Sequence, residues 1–204
     1  MKDQGLLLVL SGPSGVGKGT VKSAIVKEKA FPFEYSVSMT TRQPRAGEVD
    51  GKDYFFVSDE RFQQAIANNE LLEYNHYVGH YYGTPLAPLK KMLQDGIDVL
   101  LEIDVNGAKQ VRKQFPDGVF IFLTPPDLHT LKARIKGRGT DSDDVIEQRM
   151  KQARKEILMM ADYDYAVVND QVDNAVRKIA DIVQAEHVSV KRVLASYQAM
   201  VKED

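Results

Sequence analysis

Residues 6–20 read "LLLVLSGPSGVGKGT": an aliphatic run, a glycine-rich turn and a lysine. A short continuous aliphatic run fits a parallel strand covered on both faces. Gly12, Gly17 and Lys18 then stand at the spacing of a phosphate-cradling P-loop, which is Gly, four residues, Gly-Lys. Such a loop works through its backbone. Successive N–H groups point inward, and the helix that follows offers its positive end to phosphate oxygens. Glycines let the chain approach closely, while Lys18 reaches the β and γ phosphates. The spacing alone arises by chance in roughly one in twenty chains this long. Its context gives it weight, because it follows a strand and precedes Val21, Ala24 and Ile25 at helical spacing. The expected nucleotide-phosphate loop is therefore Gly12, Pro13, Ser14, Gly15, Val16, Gly17, Lys18, Gly19 and Thr20. One position departs from the pattern. Where a Ser or Thr hydroxyl usually binds Mg²⁺ there is Gly19, and the hydroxyl arrives one residue late, at Thr20. The backbone cradle survives this change. The metal ligand stays open between Thr20 and a cation held mainly by phosphates and water.

The bulk numbers leave room for such a local site. A chain of 204 residues, 43% hydrophobic and 27% charged, suits one compact domain with small insertions. A net charge of -2 gives no global attraction to nucleic acid or membrane. With no cysteine there are no disulfides, thiolate metal sites or cysteine nucleophiles, which fits a reducing compartment. The opening "MKDQGLLLVL" is too short and too acidic for a signal peptide or a membrane span, so the chain reads as cytoplasmic and full length.

Further apolar runs at 98–104 ("DVLLEID"), 119–124 ("VFIFLT") and 165–170 ("YAVVND") alternate with helical stretches, notably 86–95 and 127–136. A single long amphipathic helix is expected over roughly 172–200. Strands alternating with helices imply a mainly parallel α/β sheet, a three-layer core. Residues 34–84 break that rhythm with hydroxyls, aromatics and turn signals, and "LLEYNHYVGHYYGTP" reads as two short strands around Val78-Gly79. This block suits a small mixed or antiparallel insertion. "KARIKGRGTDSDD" reads as a helical flap, with one helix ending near Gly137 and another starting among acids that favour a helix N-terminus.

Within the insertion, Arg42 and Arg45 lie three residues apart, with Tyr54 further on and Tyr82 in the second hairpin. Guanidinium pairs suit phosphate oxygens through bidentate bonds, and tyrosine hydroxyls add directional donors. A solvated basic loop with packing tyrosines is the plainer alternative. Asp104 ends a buried strand, where α/β sheets place functional groups; it either touches a ligand or caps the following helix. The four histidines show no metal-ligand spacing, and His76 and His80 flank the hairpin turn.

"GPSGVGKGT", "SVSMTTRQPRAGEVDGKDYFFV", "LLEYNHYVGHYYGTP", "LEIDVNGA" and "GRGT", in this order and spacing, resemble guanylate kinase over most of the chain. The resemblance implies transfer of the ATP γ-phosphoryl group to GMP or dGMP, with Mg²⁺. It also implies a P-loop core (1–33, 86–125 and 151–204), a GMP-binding insertion (34–85) and a lid (126–150). Carried over residue by residue, Arg42, Arg45, Tyr54 and Tyr82 would hold the GMP phosphate, while Ser38, Glu73, Thr84 and Asp104 would surround guanine. Lys18, Arg42, Arg138 and Arg149 would neutralise the transferring group, with Arg134 a lesser candidate, and Asn169 would lie near adenine. Glu73 also has a chemical argument of its own. A carboxylate accepts from guanine N1–H and the 2-amino group together, whereas adenine leaves it partly unpaired. Thr84 and Asn106 stand where relatives often carry Ser and Gln. Two rivals remain: a noncatalytic guanylate-kinase-like module that binds phosphopeptides in the same pocket, and a P-loop kinase for another small phosphorylated metabolite. Small-molecule partners are expected, and neither nucleic acid nor membrane; the oligomeric state is not legible.

Overall fold

The computed structural model describes residues 4–77, 79–137 and 142–202. In chain order, β1 (Leu7–Ser11) leads into α1 (Lys18–Glu28). Then come β2 (Glu34–Tyr35), β3 (Met39–Thr40), β4 (Phe55–Phe56), α2 (Asp59–Ala67), β5 (Leu71–Tyr77) and β6 (His80–Pro85). The chain continues through α3 (Leu86–Gln94), β7 (Val99–Glu102), α4 (Val105–Gln114), β8 (Val119–Thr124), α5 (Leu128–Lys136) and α6 (Asp143–Leu158). A 3₁₀ turn (Met159–Asp162), β9 (Tyr165–Val168), α7 (Val172–His187) and α8 (Val190–Lys202) complete it.

The main sheet has the order β2-β7-β1-β8-β9, and its pairings are parallel. Both faces of β1 are buried, as its aliphatic run requires. Leu6, Leu8 and Leu10 pack with Val21 and Ile25 of α1 and with Val176 and Ile179 of α7. Leu7 and Val9 face the other way, onto Leu89 and Leu93 of α3 and Val111 of α4. The result is the expected three-layer α/β core. β2 sits at its edge, with Glu34 opposite Val99, so residues 34–35 belong to the main sheet and not to the insertion.

The insertion forms a second sheet in the order β4-β3-β6-β5. It is mixed, because β3 pairs parallel to β4 but antiparallel to β6. Its small core gathers Met39, Phe62, Ala65 and Leu71, with the Phe62 ring stacked on Tyr81 at 5.3 Å. Helix α2 was not foreseen. Its signal lies in "SDERF": Ser58 accepts from the Arg61 N–H as N-cap, and Asp59 and Glu60 occupy the first turn. In the flap, α5 and α6 share a core of Leu131, Ile135, Ile146, Met150 and Ala153.

The expected single C-terminal helix is two helices. The break at Val188–Ser189 is fixed by contacts that sequence periodicity does not see. Ser189 donates its hydroxyl to the Glu186 carbonyl at 3.0 Å, and Arg192 returns to the Glu186 carboxylate and to the Asp117 carbonyl. His187 at the end of α7 meets the buried Asp98, which also accepts from the Leu6 N–H.

Phe62 is fully buried and joins α2 to the β3–β6 pair. Phe62→Ala is expected to cost about 3–5 kcal/mol, read as a lower urea midpoint for the insertion. An unchanged midpoint would remove Phe62 from its place as the insertion's main support.

Candidate active site

Three parts converge on one cleft of about 680 Å³, with walls that include Lys18, Tyr54, Tyr82, Glu102, Asp104 and Arg149. A connected pocket of about 220 Å³ carries Lys18 and Glu102 together with Ser38 and Glu73. The P-loop, the strand-end acids and part of the insertion thus line one cleft, while Arg42 and Arg45 are not among its lining residues.

The loop from β1 to α1 is held from below. Gly17 has φ 102° and lies so close to Asn169 that a Cβ there would fall 2.6 Å from its Nδ2. The Asn169 amide donates to the Val16 carbonyl at 2.8 Å. Arg134 donates to the same carbonyl at 3.2 Å and to the Asn169 carbonyl at 2.9 Å. Those carbonyls are thus tied down, and the Val16 N–H turns back onto the Pro13 carbonyl at 3.3 Å. Asn169 is only 3% exposed, and through its bond to the Val16 carbonyl it supports the loop. Arg134 is likewise a loop brace.

Lys18 donates from Nζ to the Gly12 carbonyl at 2.7 Å, folded back over the loop. The flap reaches the same loop through Ser14. Arg149 donates to the Ser14 hydroxyl at 2.9 Å, and the Ser14 N–H donates to Glu156 at 3.2 Å. Glu156 was not foreseen; it lies seven residues from Arg149, two turns along one face of α6. Arg138 lies outside the described residues.

On the insertion side, Arg42 is oriented on several sides. It forms a two-pronged pair with Glu48 at 2.9 and 3.0 Å, donates to the Gln43 carbonyl, and lies over the Tyr54 and Phe56 rings. Glu48 also accepts from the Arg45 N–H at 2.7 Å. The Arg42 hydrogen bond, with help from the Arg45 N–H, holds the Glu48 carboxyl below the usual range. The Arg45 side chain is exposed, and only its backbone enters this cluster. The Tyr54 and Tyr82 rings meet edge-on at 6.1 Å. Glu48 is a residue the sequence reading missed; its signal was an acid three positions from Arg45.

Glu73 is buried, at 6% exposure, and not on an open strand face. Thr84 across the β5–β6 hairpin donates its hydroxyl to Glu73 at 2.6 Å. The other carboxylate oxygen packs so tightly on α4 that a Cβ at Gly107 would meet it at 2.7 Å. Burial pushes the Glu73 carboxyl up to about 7. Asp104 does cap a helix: one oxygen accepts from the Asn106 and Gly107 N–H groups, and the other accepts from the Asn75 amide at 2.5 Å. It also lines the pocket, so the cap and the wall are one residue. Asn75, again unforeseen, fixes its orientation.

Among the described residues no group of three or more His, Asp or Glu is placed to hold a metal ion. The oxygen donors at the cleft, Glu102 and Asp104, suit Mg²⁺ that arrives bound to phosphates and keeps most of its waters. Among the described residues no helix is long and apolar enough to cross a membrane.

The sequence profile of the guanylate kinase family matches residues 4–186. This chain belongs to the guanylate kinase family. It is 78% identical to the guanylate kinase of Lactobacillus johnsonii over 204 residues, the full length of both chains. It is 59% identical to that of Listeria monocytogenes over 202 residues, 99% of this chain and 98% of the relative. The crystal structure of guanylate kinase from Anaplasma phagocytophilum superposes with a TM-score of 0.76 at 33% identity, covering 94% of this chain and 90% of the other.

The raised Glu73 carboxyl has a consequence for stability. Between pH 4.5 and 7 the folded chain keeps a proton that the unfolded chain releases, so stability falls as pH rises through that window and is level above it. The full span corresponds to about 3 kcal/mol. Glu73→Gln is expected to recover much of this at pH 8 and little at pH 4.5, read from denaturant midpoints at both pH values. Equal shifts at the two would show that Glu73 ionises normally.

Proposed function

We propose that this guanylate kinase family member is an ATP:GMP phosphotransferase that converts GMP or dGMP and ATP into GDP or dGDP and ADP. The observation that carries the reading is a shared pocket. Lys18 of the phosphate loop and the buried carboxylate of Glu73 wall the same 220 Å³ space. A nucleobase read by Glu73 would thus present its phosphate toward the loop.

In the proposed reaction the bond between the γ phosphorus and its bridging oxygen breaks, and its electron pair leaves with ADP. A new bond forms from phosphorus to a GMP phosphate oxygen. That oxygen is already anionic, so no general base is needed. The task is to hold two anions in line while charge spreads over the transferring group. The amides of residues 12–20 and Lys18 act on the donor side. Arg42 and Arg45, with Tyr54 and Tyr82, act on the acceptor phosphate, and Arg149 and Arg138 come from the flap. Arg42 reaches this role already aimed by Glu48 and the Tyr54 ring. Arg149 is one hydrogen bond from the loop, through Ser14. Mg²⁺ bound to the ATP phosphates supplies further charge neutralisation.

Glu73 accepts from guanine N1–H and the 2-amino group, with Thr84 occupying part of its capacity and Ser38 and Asp104 lining the pocket nearby. The three-part division into core, insertion and lid belongs to the same proposal, as does work in the cytoplasm on soluble nucleotides. A phosphopeptide-binding role has no observation in its favour here, since the loop, Lys18 and Arg149 are assembled around one cleft.

Purified protein with ATP and Mg²⁺ is expected to turn over GMP and dGMP, with AMP lower by roughly 10⁴ in kcat/KM, read by coupled ADP release. No turnover with GMP would favour a binding module, and comparable rates with AMP would remove Glu73 from its role. Lys18→Met is expected to lower kcat by at least about 10² and to leave GMP affinity within a few-fold. A folded variant with full activity would contradict the placement of Lys18.

A further inference from the structure

The Glu73–Thr84 pair has a polar neighbour on the same face of its hairpin. The pairing of β5 with β6 sets Glu73 opposite Thr84 and, two residues further on, Asn75 opposite Tyr82. Facing residues of an antiparallel pair, and every second residue along it, share one side of the sheet. The other side carries His76 and Tyr81, whose rings meet at 4.7 Å, with Tyr81 stacked on Phe62. The cleft side therefore presents Glu73 with Thr84 and then, about 7 Å along the strand, Asn75 with Tyr82. Asn75 is half-buried and lines both the cleft and the connected pocket.

The Asn75 amide has only one way to face. Its nitrogen donates to Asp104 Oδ2, and a carboxylate only accepts, so the amide carbonyl is turned away from Asp104. Asp104 is itself fixed, because its other oxygen takes the Asn106 and Gly107 N–H groups at the head of α4. One amide N–H is thus spent on Asp104. Among the described residues no group donates a hydrogen bond to the Asn75 carbonyl oxygen.

We propose that Asn75 reads the sugar of the nucleoside monophosphate, its carbonyl oxygen accepting from the 2′-hydroxyl, so that the chain favours GMP over dGMP. The inference rests on the phosphotransferase reading and deepens it by assigning the middle of the acceptor site. In that reading Glu73 takes the base and Tyr82 the phosphate, and a nucleoside monophosphate carries its sugar between the two. Asn75 stands at this middle position, one step along β5 from Glu73 and directly across from Tyr82. An amide suits a sugar hydroxyl, since it offers an acceptor to the hydroxyl proton and a donor to the oxygen. An amide already tied to Asp104 also loses little freedom when the sugar arrives. A different role is visible too, in which Asn75 only steadies Asp104 at the head of α4. That role serves GMP and dGMP alike, because both carry the same base and phosphate. A contact with the 2′-hydroxyl serves GMP alone.

The test is the ratio of kcat/KM for GMP to that for dGMP, measured on the whole protein with saturating ATP and Mg²⁺. Asn75→Ala is expected to lower this ratio by roughly 3–10-fold, with GMP turnover falling more than dGMP turnover. A second measurement needs no variant. GMP with fluorine in place of the 2′-hydroxyl keeps a ribose-like ring pucker but has no proton to donate. With the wild-type protein it is expected to behave as dGMP does. The proposal is overturned if Asn75→Ala lowers both substrates equally and keeps the wild-type ratio, or if the fluorinated nucleotide matches GMP on the wild-type protein. A wild-type protein that turns over neither GMP nor dGMP would instead overturn the phosphotransferase reading itself.

Discussion

The carbonyl of Val16 is the point on which the site turns. Two side chains from distant parts of the chain, Asn169 after β9 and Arg134 on α5, donate to it. By fixing that carbonyl, they hold the peptide groups of the loop in place. An anion cradle made of backbone has no side chain to select, so its strength depends on how rigidly the chain is held. Gly17 allows the close approach, and Val16 itself is fully buried in the core. The loop is therefore an extension of the main sheet's packing, and the flap helix α5 is part of its foundation.

Around this cradle the chain supplies acids as well as bases. Glu48 takes the Arg42 fork and the Arg45 N–H, while Glu156 accepts from the Ser14 N–H. Each carboxylate is paired with a group to which the proposed reaction assigns a phosphate. A cation held by an acid attracts a phosphate less strongly than a bare one, but it is already aimed, which lowers the ordering cost of binding. Such aiming is valuable for phosphoryl transfer, where the protein's contribution is mostly position and charge. The flap connects to the loop by the same means, through Arg149 and Glu156 on one face of α6.

The base pocket shows a different balance. Glu73 is held against its preference for water, with a hydroxyl on one oxygen and the turn of α4 on the other. Its raised carboxyl measures the cost of keeping a strong acceptor dry. The same dryness is what lets a hydrogen-bonding wall discriminate between bases, since a mismatched partner leaves a buried group unpaired.

Much of this was legible in local sequence because the physics is local. The continuous apolar runs "LLLVL" and "VFIFLT" and the glycine spacing of the phosphate loop are each decided within a few residues. The alternation of strands and helices then limited the architecture to a parallel three-layer core. The "TTRQPRAGEVDGKDY" block, by resemblance, pointed to the insertion's role. Tertiary structure alone decided which polar groups face each other across the chain: Asn169 and Arg134 on Val16, and Asn75 on Asp104. It also decided that the C-terminal helix breaks at Val188–Ser189, that β2 joins the main sheet, and that Glu73 is buried. The reason is that backbone preference and hydrophobic period act over one or two turns. Hydrogen-bond partners and burial depend on what folding brings alongside, which for Val16 and Asn169 means residues 153 positions apart.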